Sequence, residues 1–149
     1  MFNVYQAKLE DVTKILPLYL GYRRFYKVDE SAELAEQFLR DRIGQGESIV
    51  YYVAEEAGGQ PVGFAQLYPL FCSLAMKRIW LLYDLFVAPE ARQQGIAKLL
   101  LNRADQLGKE TNSAFIMLST ATDNTKAQSL YESHGYIRDN QFYTYNKTC

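Results

Sequence analysis

Polar and apolar positions alternate from Phe2 to Gln6, with Phe2, Val4 and Gln6 set against Asn3 and Tyr5, which predicts a short strand. From Asp11 the period lengthens. Val12, Ile15, Leu16 and Tyr19 recur at helical spacing, and Pro17 is expected to kink this helix unless it opens a second segment. Ser31, behind Asp29 and Glu30, reads as the N-cap of a helix carrying Leu34, Ala35, Phe38, Leu39 and Ile43 on one face and stopped by Gly44 and Gly46. Ile49–Glu56 and Pro61–Leu70 are strand runs around Ala57-Gly58-Gly59-Gln60, a hairpin signature. Arg78–Val87 is the most apolar run. Ile79, Leu81, Tyr83, Leu85 and Val87 fall on one side and Trp80, Leu82, Asp84 and Phe86 on the other, so a central strand buried on both faces is expected. Gly95–Lys109 places Ala97, Leu100, Ala104 and Leu107 on one helical stripe. Ala114–Ser119 reads as a buried strand, and Asn124–His134 as a helix closed by Gly135 in a left-handed cap. Tyr136–Asn146 reads as one or two closing strands. The order β-α-α-β-β-β-α-β-α-β predicts an α/β fold whose mixed sheet starts as an antiparallel meander and ends in a right-handed parallel crossover between Trp80 and Ser119.

Composition narrows the class. A chain of 149 residues suggests one domain, 1–149, and 48% apolar residues with 12 Tyr, 8 Phe and 1 Trp supply a two-layer core. Sixteen Lys and Arg nearly cancel 17 Asp and Glu, an expectation against the cationic stripe of a nucleic-acid binder. Met1–Gln6 shows no basic-then-apolar leader and no apolar run reaches the ~20 residues of a membrane span, so no membrane partner and a cytoplasmic location are expected. Cys72 and Cys149 lack metal-ligand spacing and His134 is the single histidine, so no metal is expected.

The chemistry concentrates in Leu85-Phe86-Val87-Ala88-Pro89-Glu90-Ala91-Arg92-Gln93-Gln94-Gly95-Ile96-Ala97, where a strand ends and a helix begins at a glycine. The first amides of a helix lack intrahelical acceptors and carry the positive end of its dipole, and a glycine there lets an anion approach. Arg92 and Lys98 would add mobile positive charge. By spacing alone, a helix that merely begins with glycine is an equal reading. The loop has neither the glycine-lysine pattern of nucleotide hydrolases nor the three-glycine dinucleotide fingerprint. Further along, Asn124, Ala127 and Tyr131 stand at i, i+3 and i+7 on one helical face, two polar residues flanking a small one, ahead of Gly135-Tyr136.

With both motifs in hand, the sequence resembles the GNAT superfamily of N-acetyltransferases. Arg92-x-x-Gly95-x-Ala97 matches the family's glycine loop, and Asn124-x-x-Ala127-x-x-Leu130-Tyr131-x-x-x-Gly135-Tyr136 matches its second block. The correspondence runs from about Ile79 to Ile137 and is similar to the small histone- and polyamine-type members. The resemblance implies a sheet splayed between the fourth and fifth strands, with acetyl-CoA in the split and no metal. It implies pantetheine pairing with the backbone of Leu85, Phe86 and Val87, and a pyrophosphate on the amides of Gln93, Gln94, Gly95, Ile96, Ala97 and Lys98 beside Arg92. Asn124 would bond the pantetheine arm, Ala127 would line its path, and Tyr131 would be the general acid.

The implied reaction is direct attack of an amine on the thioester. A lysine-like amine with a pKa near ~10.4 must lose a proton, at about 4–5 kcal/mol near neutrality, so a base is required. Many relatives place Glu where this chain has Tyr83. Asp84 as base, Asp84 as a buried structural acceptor, and a water relay ending at backbone or Tyr83 stay open. Tyr131 as a packing residue, His134 as a helix-end residue and Cys72 as an inert core thiol are the plainer alternatives to chemistry. The segment 29–47 holds Asp29, Glu30, Glu33, Glu36, Asp41 and Glu47 against Arg40 and Arg42. Those acids either draw a cationic amine or form a solvated helix face. Tyr22, Tyr26 and Phe71 are candidate walls of an amine pocket, and Phe142-Tyr143-Thr144-Tyr145 suggests pairing in a homodimer. The expected activity is N-acetyl transfer to a small-molecule or lysine amine. The alternative is a non-catalytic acyl-CoA-binding module of the same fold.

Overall fold

The period-two stretches assemble into one sheet in the computed structural model, which describes every residue except Glu30. β1 (Asn3–Gln6), β2 (Ile49–Ala54), β3 (Gly63–Cys72), β4 (Lys77–Val87) and β5 (Ile116–Met117) lie in that order. Pairing is antiparallel up to β4 and parallel between β4 and β5. α1 (Val12–Phe25), α2 (Ala32–Gly44) and α3 (Ile96–Glu110) complete a compact unit, Met1–Leu118; α4 (Thr125–Ser133) belongs to a second unit, Ser119–Cys149. Among the described residues no helix is long and apolar enough to cross a membrane.

The first unit has three layers. Phe64 of β3 meets Tyr19 and Tyr22 of α1 edge-on at 6.2 and 6.0 Å, and Phe38 of α2 stacks on Tyr19 at 6.4 Å. On the other face Trp80 Nε1 donates to Thr111 Oγ1 at 2.9 Å, just past the end of α3. The α3 stripe that covers this face is Ile96, Leu100, Leu101, Ala104 and Leu107, with Ala97 only half-buried. Each fully buried Leu or Ile there contributes about 1.5–3 kcal/mol.

The facing expected for β4 does not hold, because the β3–β4 ladder slips by one residue. Gln66 stands opposite Asp84 while its neighbour Leu67 stands opposite Leu82, leaving Tyr83 as the extra residue of a β-bulge. Pro69, Leu67, Ala65 and Gly63 share one face of β3 and pair with Trp80, Leu82, Leu85 and Val87, so those four turn toward α3. Asp84 and Phe86 turn toward α1 instead, and Tyr83 stands 63% exposed. β4 is also second from the sheet edge rather than central.

Other departures have local causes. α1 runs unbroken through Pro17, which costs it only the bond to the Thr13 carbonyl. Ser31 occupies the N-cap position of α2 without a side-chain capping bond, and Leu34 points to solvent at 73% exposure. The fifth strand shrinks from 114–119 to Ile116–Met117, and Phe115 and Met117 are exposed rather than buried. No closing strand forms in 136–146. There the Asp139 carboxylate accepts from the amides of Gln141 and Phe142, making a turn where the strand was expected.

One close approach seats the start of α3. A Cβ on Gly63 would lie 2.8 Å from Ile96 Cγ2 and 3.3 Å from the Phe86 carbonyl oxygen. Gly63→Ala is therefore expected to destabilise the protein by about 1–3 kcal/mol through overpacking, read as a lowered denaturation midpoint in urea at unchanged slope.

Candidate active site

β4 ends at Val87, and a single turn of 3-10 helix at Pro89–Ala91 carries the chain toward α3. The backbone then passes through two left-handed positions, Gln93 at φ 63° and Gly95 at φ 79°. An added Cβ on Gly95 would meet nothing within 4 Å, so the glycine serves the torsion rather than the space. Gly95 is the N-cap of α3, and the first amide to find a helical acceptor is that of Leu99, on the Gly95 carbonyl at 3.1 Å. The amides of Gln93, Gln94, Gly95, Ile96, Ala97 and Lys98 meet no acceptor among the described residues. Six adjoining donors at the positive end of a 15-residue helix form a site for an anion.

Arg92 is not the mobile charge it was expected to be. Its Nε donates to the Val87 carbonyl at 3.1 Å and its guanidinium lies 5.6 Å from the centre of the Phe86 ring. The same bond occupies the Val87 carbonyl that was expected to serve pantetheine. Lys98 is exposed on the first turn of α3. Beyond Arg92, a cleft of ≈540 Å³ opens toward α1, lined by Gly21, Phe25, Pro61, Phe86 and Pro89.

β4 and β5 pair only at Trp80–Ile116 and Leu81–Met117, extended at the near end by the bonds Ala114 N to Arg78 O and Trp80 N to Phe115 O. Past Leu81 the ladder stops. Toward β5, the edge of β4 through Leu85, Phe86 and Val87 has no strand partner among the described residues. This is the splay between the fourth and fifth strands.

On the α1 side of that stretch lies Asp84, 4% exposed. Gln66 Nε2 donates to its Oδ2 at 2.7 Å. The Tyr22 hydroxyl donates to the Tyr83 carbonyl at 3.2 Å, on the residue next to Asp84, and lies close enough to the Asp84 carboxylate for each group to shift the other. Burial pushes the Asp84 carboxyl above the ordinary carboxylate range, and the Gln66 amide and Tyr22 hydroxyl draw it part of the way back. Tyr22 and Tyr68 are pushed upward in turn, first by burial and then by the Asp84 charge. Tyr22 packs against Tyr26 at 5.1 Å, and Tyr68 against Tyr83 at 5.8 Å. The bulge thus sets Tyr83 and Asp84 on the same aromatic cluster, which strict alternation forbade. Gln66 and Tyr68 escaped the sequence reading. The available signal was one polar residue inside the apolar run Phe64-Ala65-Gln66-Leu67.

Phe71 lies at the far end of β3 under Arg78, five residues beyond Gln66, and does not join this cluster. The acids of segment 29–47 largely serve their own surface: in α2 Glu36 pairs with Arg40 at 2.9 Å and Asp41 accepts from Gln37, and past its end Glu47 pairs with Arg42 at 2.9 Å. Glu30 lies outside the described residues. Cys72 is half-buried at the end of β3 and Cys149 is exposed. Among the described residues no group of three His, Cys, Asp or Glu is placed to hold a metal ion.

In the second unit, Asn124 caps α4, its Oδ1 accepting from the Ala127 amide at 3.1 Å. That bond commits the oxygen and leaves the Nδ2 side for a ligand. Asn124, Ala127 and Tyr131 are each half-buried, and Tyr131 packs on Tyr136 at 6.1 Å. Gly135, at φ 88°, ends the helix as expected, with the Tyr136 amide returning to the Tyr131 carbonyl and His134 at the C-cap.

Comparison with known proteins agrees with this geometry. The model of the acetyltransferase (GNAT) family matches residues 14–136. The chain is 43% identical to the uncharacterized N-acetyltransferase YhfO of Bacillus subtilis (strain 168), over 96% of this chain and 95% of that one. It is 27% identical to the thialysine N-epsilon-acetyltransferase of Sus scrofa, covering 87% of this chain and 81% of the other. A crystal structure of a probable acetyltransferase superposes with a TM-score of 0.93 at 39% identity, covering 99% of this chain and 97% of that one. The five-stranded mixed sheet, the glycine loop and these likenesses converge: the chain belongs to the GNAT acetyltransferase family.

Proposed function

We propose that this chain is an N-acetyltransferase that moves the acetyl group of acetyl-CoA to a primary amine, either of a small molecule such as a polyamine or amino acid, or of a lysine side chain. One observation carries the reading. A run of six amides without acceptors, Gln93 to Lys98, stands at the end of a strand that β5 has released. Those residues fit coenzyme A, because a diphosphate needs convergent donors and pantetheine needs free main-chain groups. Leu85 would offer the strand edge, with Val87 contributing its remaining backbone group, whereas Phe86 between them turns its carbonyl toward Gly63 of β3 and does not offer it. Asn124 would donate through Nδ2 and Ala127 would line the path. Bound acetyl-CoA supplies the acetyl group as an activated thioester.

On the acceptor side, the Tyr22, Tyr26, Tyr68 and Tyr83 rings around one buried carboxylate suit a cation, which aromatic faces and an acid both attract. The thialysine-acetylating relative supports an amine of this kind. Asp84 is the base in this reading, and Tyr131 is the donor of the proton that the departing thiolate takes. The second reading, a non-catalytic acyl-CoA-binding module, draws on Tyr83, an exposed phenol at the position where the family resemblance implies Glu. A second copy of the chain is the proposed partner. Phe142, Tyr143 and Tyr145 are 77%, 90% and 89% exposed, and pairing with a second copy would cover them. Sedimentation equilibrium is expected to give a dimer for the whole chain and a monomer after removal of 141–149.

Acetyl-CoA at a hundred times its Kd is expected to stabilise the protein by about 2.7 kcal/mol, visible as a raised Tm. An unmoved Tm sinks both readings. Thiol release in the presence of spermidine, lysine peptides or amino acids separates enzyme from binder. Tyr131→Phe is expected to lower kcat by about 10²-fold at unchanged KM for acetyl-CoA.

Asp84 also has a stability signature. Its carboxyl titrates higher in the folded chain than in the unfolded one, so between those two values the folded state holds the extra proton, and stability falls as pH rises through that window. Asp84→Asn is therefore expected to match wild type in Tm below the unfolded carboxylate range, to exceed it increasingly as pH rises through that window, and to hold a constant excess above it, while losing activity.

A further inference from the structure

The buried carboxylate and the acceptor amine face a problem of access. Asp84 is 4% exposed, so an ammonium group cannot reach it without an intermediary. Tyr22 provides one, being half-buried with its hydroxyl on the Tyr83 carbonyl and beside the Asp84 carboxylate. Behind the carboxylate, Gln66 is 0% exposed and turns its amide nitrogen onto Asp84 Oδ2 at 2.7 Å. That orientation leaves Gln66 Oε1 buried without a hydrogen-bond partner among the described residues. A fully buried amide held in this way is committed to donating.

We propose that Gln66, Asp84 and Tyr22 form a proton-accepting chain. In it, Tyr22 takes the proton of the acceptor ammonium while passing its own to Asp84, and Gln66 holds the carboxylate ionised and aligned to receive it. The inference rests on the acetyl-transfer reading and supplies its base. The balance is simple: one ammonium N–H bond breaks, a new Tyr22 O–H forms as the old one breaks, and an O–H forms on Asp84. Ammonium and carboxylate become amine and carboxylic acid, and Tyr22 ends as it began. Tyr22 is held well above the ordinary phenol range by burial and by the Asp84 charge, so it relays without becoming a tyrosinate. In this scheme Tyr22 is a catalytic residue and Gln66 a positioning residue.

The other groups facing the chain are few. From α1 come Tyr19, with Arg23 acting on it, and Tyr26 beyond Tyr22. From β3 comes Tyr68, with Arg42 of α2 acting on it, and from β4 comes Tyr83. The two direct partners that favour the charged form of Asp84 are the neutral donors Gln66 and Tyr22.

The test is a pH profile of kcat/KM with spermidine as acceptor, joined to a carbon-13 NMR titration of Asp84 in the ligand-free protein. Tyr22→Phe is expected to lose at least about tenfold at pH 7 with KM for acetyl-CoA unchanged, and the gap is expected to close as pH nears the amine pKa, where no base is needed. Gln66→Met is expected to move the acid limb of the profile and the Asp84 titration to higher pH. A Tyr22→Phe defect that is equal at every pH, or an Asp84 titration unmoved in Gln66→Met, overturns the proposal. If Gln66→Met does not fold, the Asp84 titration in Tyr22→Phe replaces it, because losing that donor must shift the carboxyl the same way. A wild-type protein that neither binds acetyl-CoA nor releases thiol sinks the acetyl-transfer reading and the relay with it; failure of the relay alone is told apart because wild type then turns over and only the Tyr22→Phe or Gln66→Met outcome fails.

Discussion

One inserted residue organises the chemistry of the first unit. The bulge at Tyr83 changes the parity of β4, so Trp80 and Leu82 anchor the near half of the strand on α3 while Asp84 and Phe86 face α1 in the far half. In an uninterrupted ladder Asp84 would share the α3 face with Trp80 and Leu82, against the apolar stripe of Ile96, Leu100 and Leu101. A carboxylate there would be buried without donors, which is costly. Turned the other way, it meets Gln66 and Tyr22. The bulge thus converts a position that an apolar strand could not tolerate into a polar pocket with two donors.

The two halves of the site are made of different material. On one side of β4 the groups are main-chain: the amides of 93–98, placed by the left-handed turn at Gly95 and by Ile96 seated on Gly63. On the α1 side they are side chains, tyrosine rings and two hydrogen-bonded polar residues. Sheet packing joins the two. Phe86 presses on Tyr22 at 6.4 Å and its carbonyl lies beside Gly63, so a shift of α3 would be felt at both.

Local pattern made part of this legible. Gly95 after a polar loop, a strong apolar stripe behind it, and Asn124 three residues before Ala127 announced the helix start and the α4 cap, because those features are set by neighbours in sequence. Family membership followed from the same two motifs. What stayed hidden depends on pairing across strands. Alternation alone carries no information about which residue faces which, so the bulge, the true facing of Asp84 and the partnership with Gln66 became visible only in the ladder. The tail misled for a related reason: Phe142-Tyr143-Thr144-Tyr145 alternates like a strand, yet alternation cannot supply the neighbouring edge a strand needs. The tether of Arg92 on Val87 was equally unreadable, being a matter of where a long side chain finds a carbonyl.

The early end of the β4–β5 ladder has a wider consequence. A strand edge with open donors and acceptors is the feature on which sheets grow, and folded chains commonly blunt it to avoid sticking to one another. Here the open stretch is only about half of β4, starts at a bulge, and ends where Arg92 clasps the final carbonyl. Shortness, a kink and a capped terminus make it a poor template for another chain, so the protein can keep an unfinished sheet without the usual hazard of aggregation.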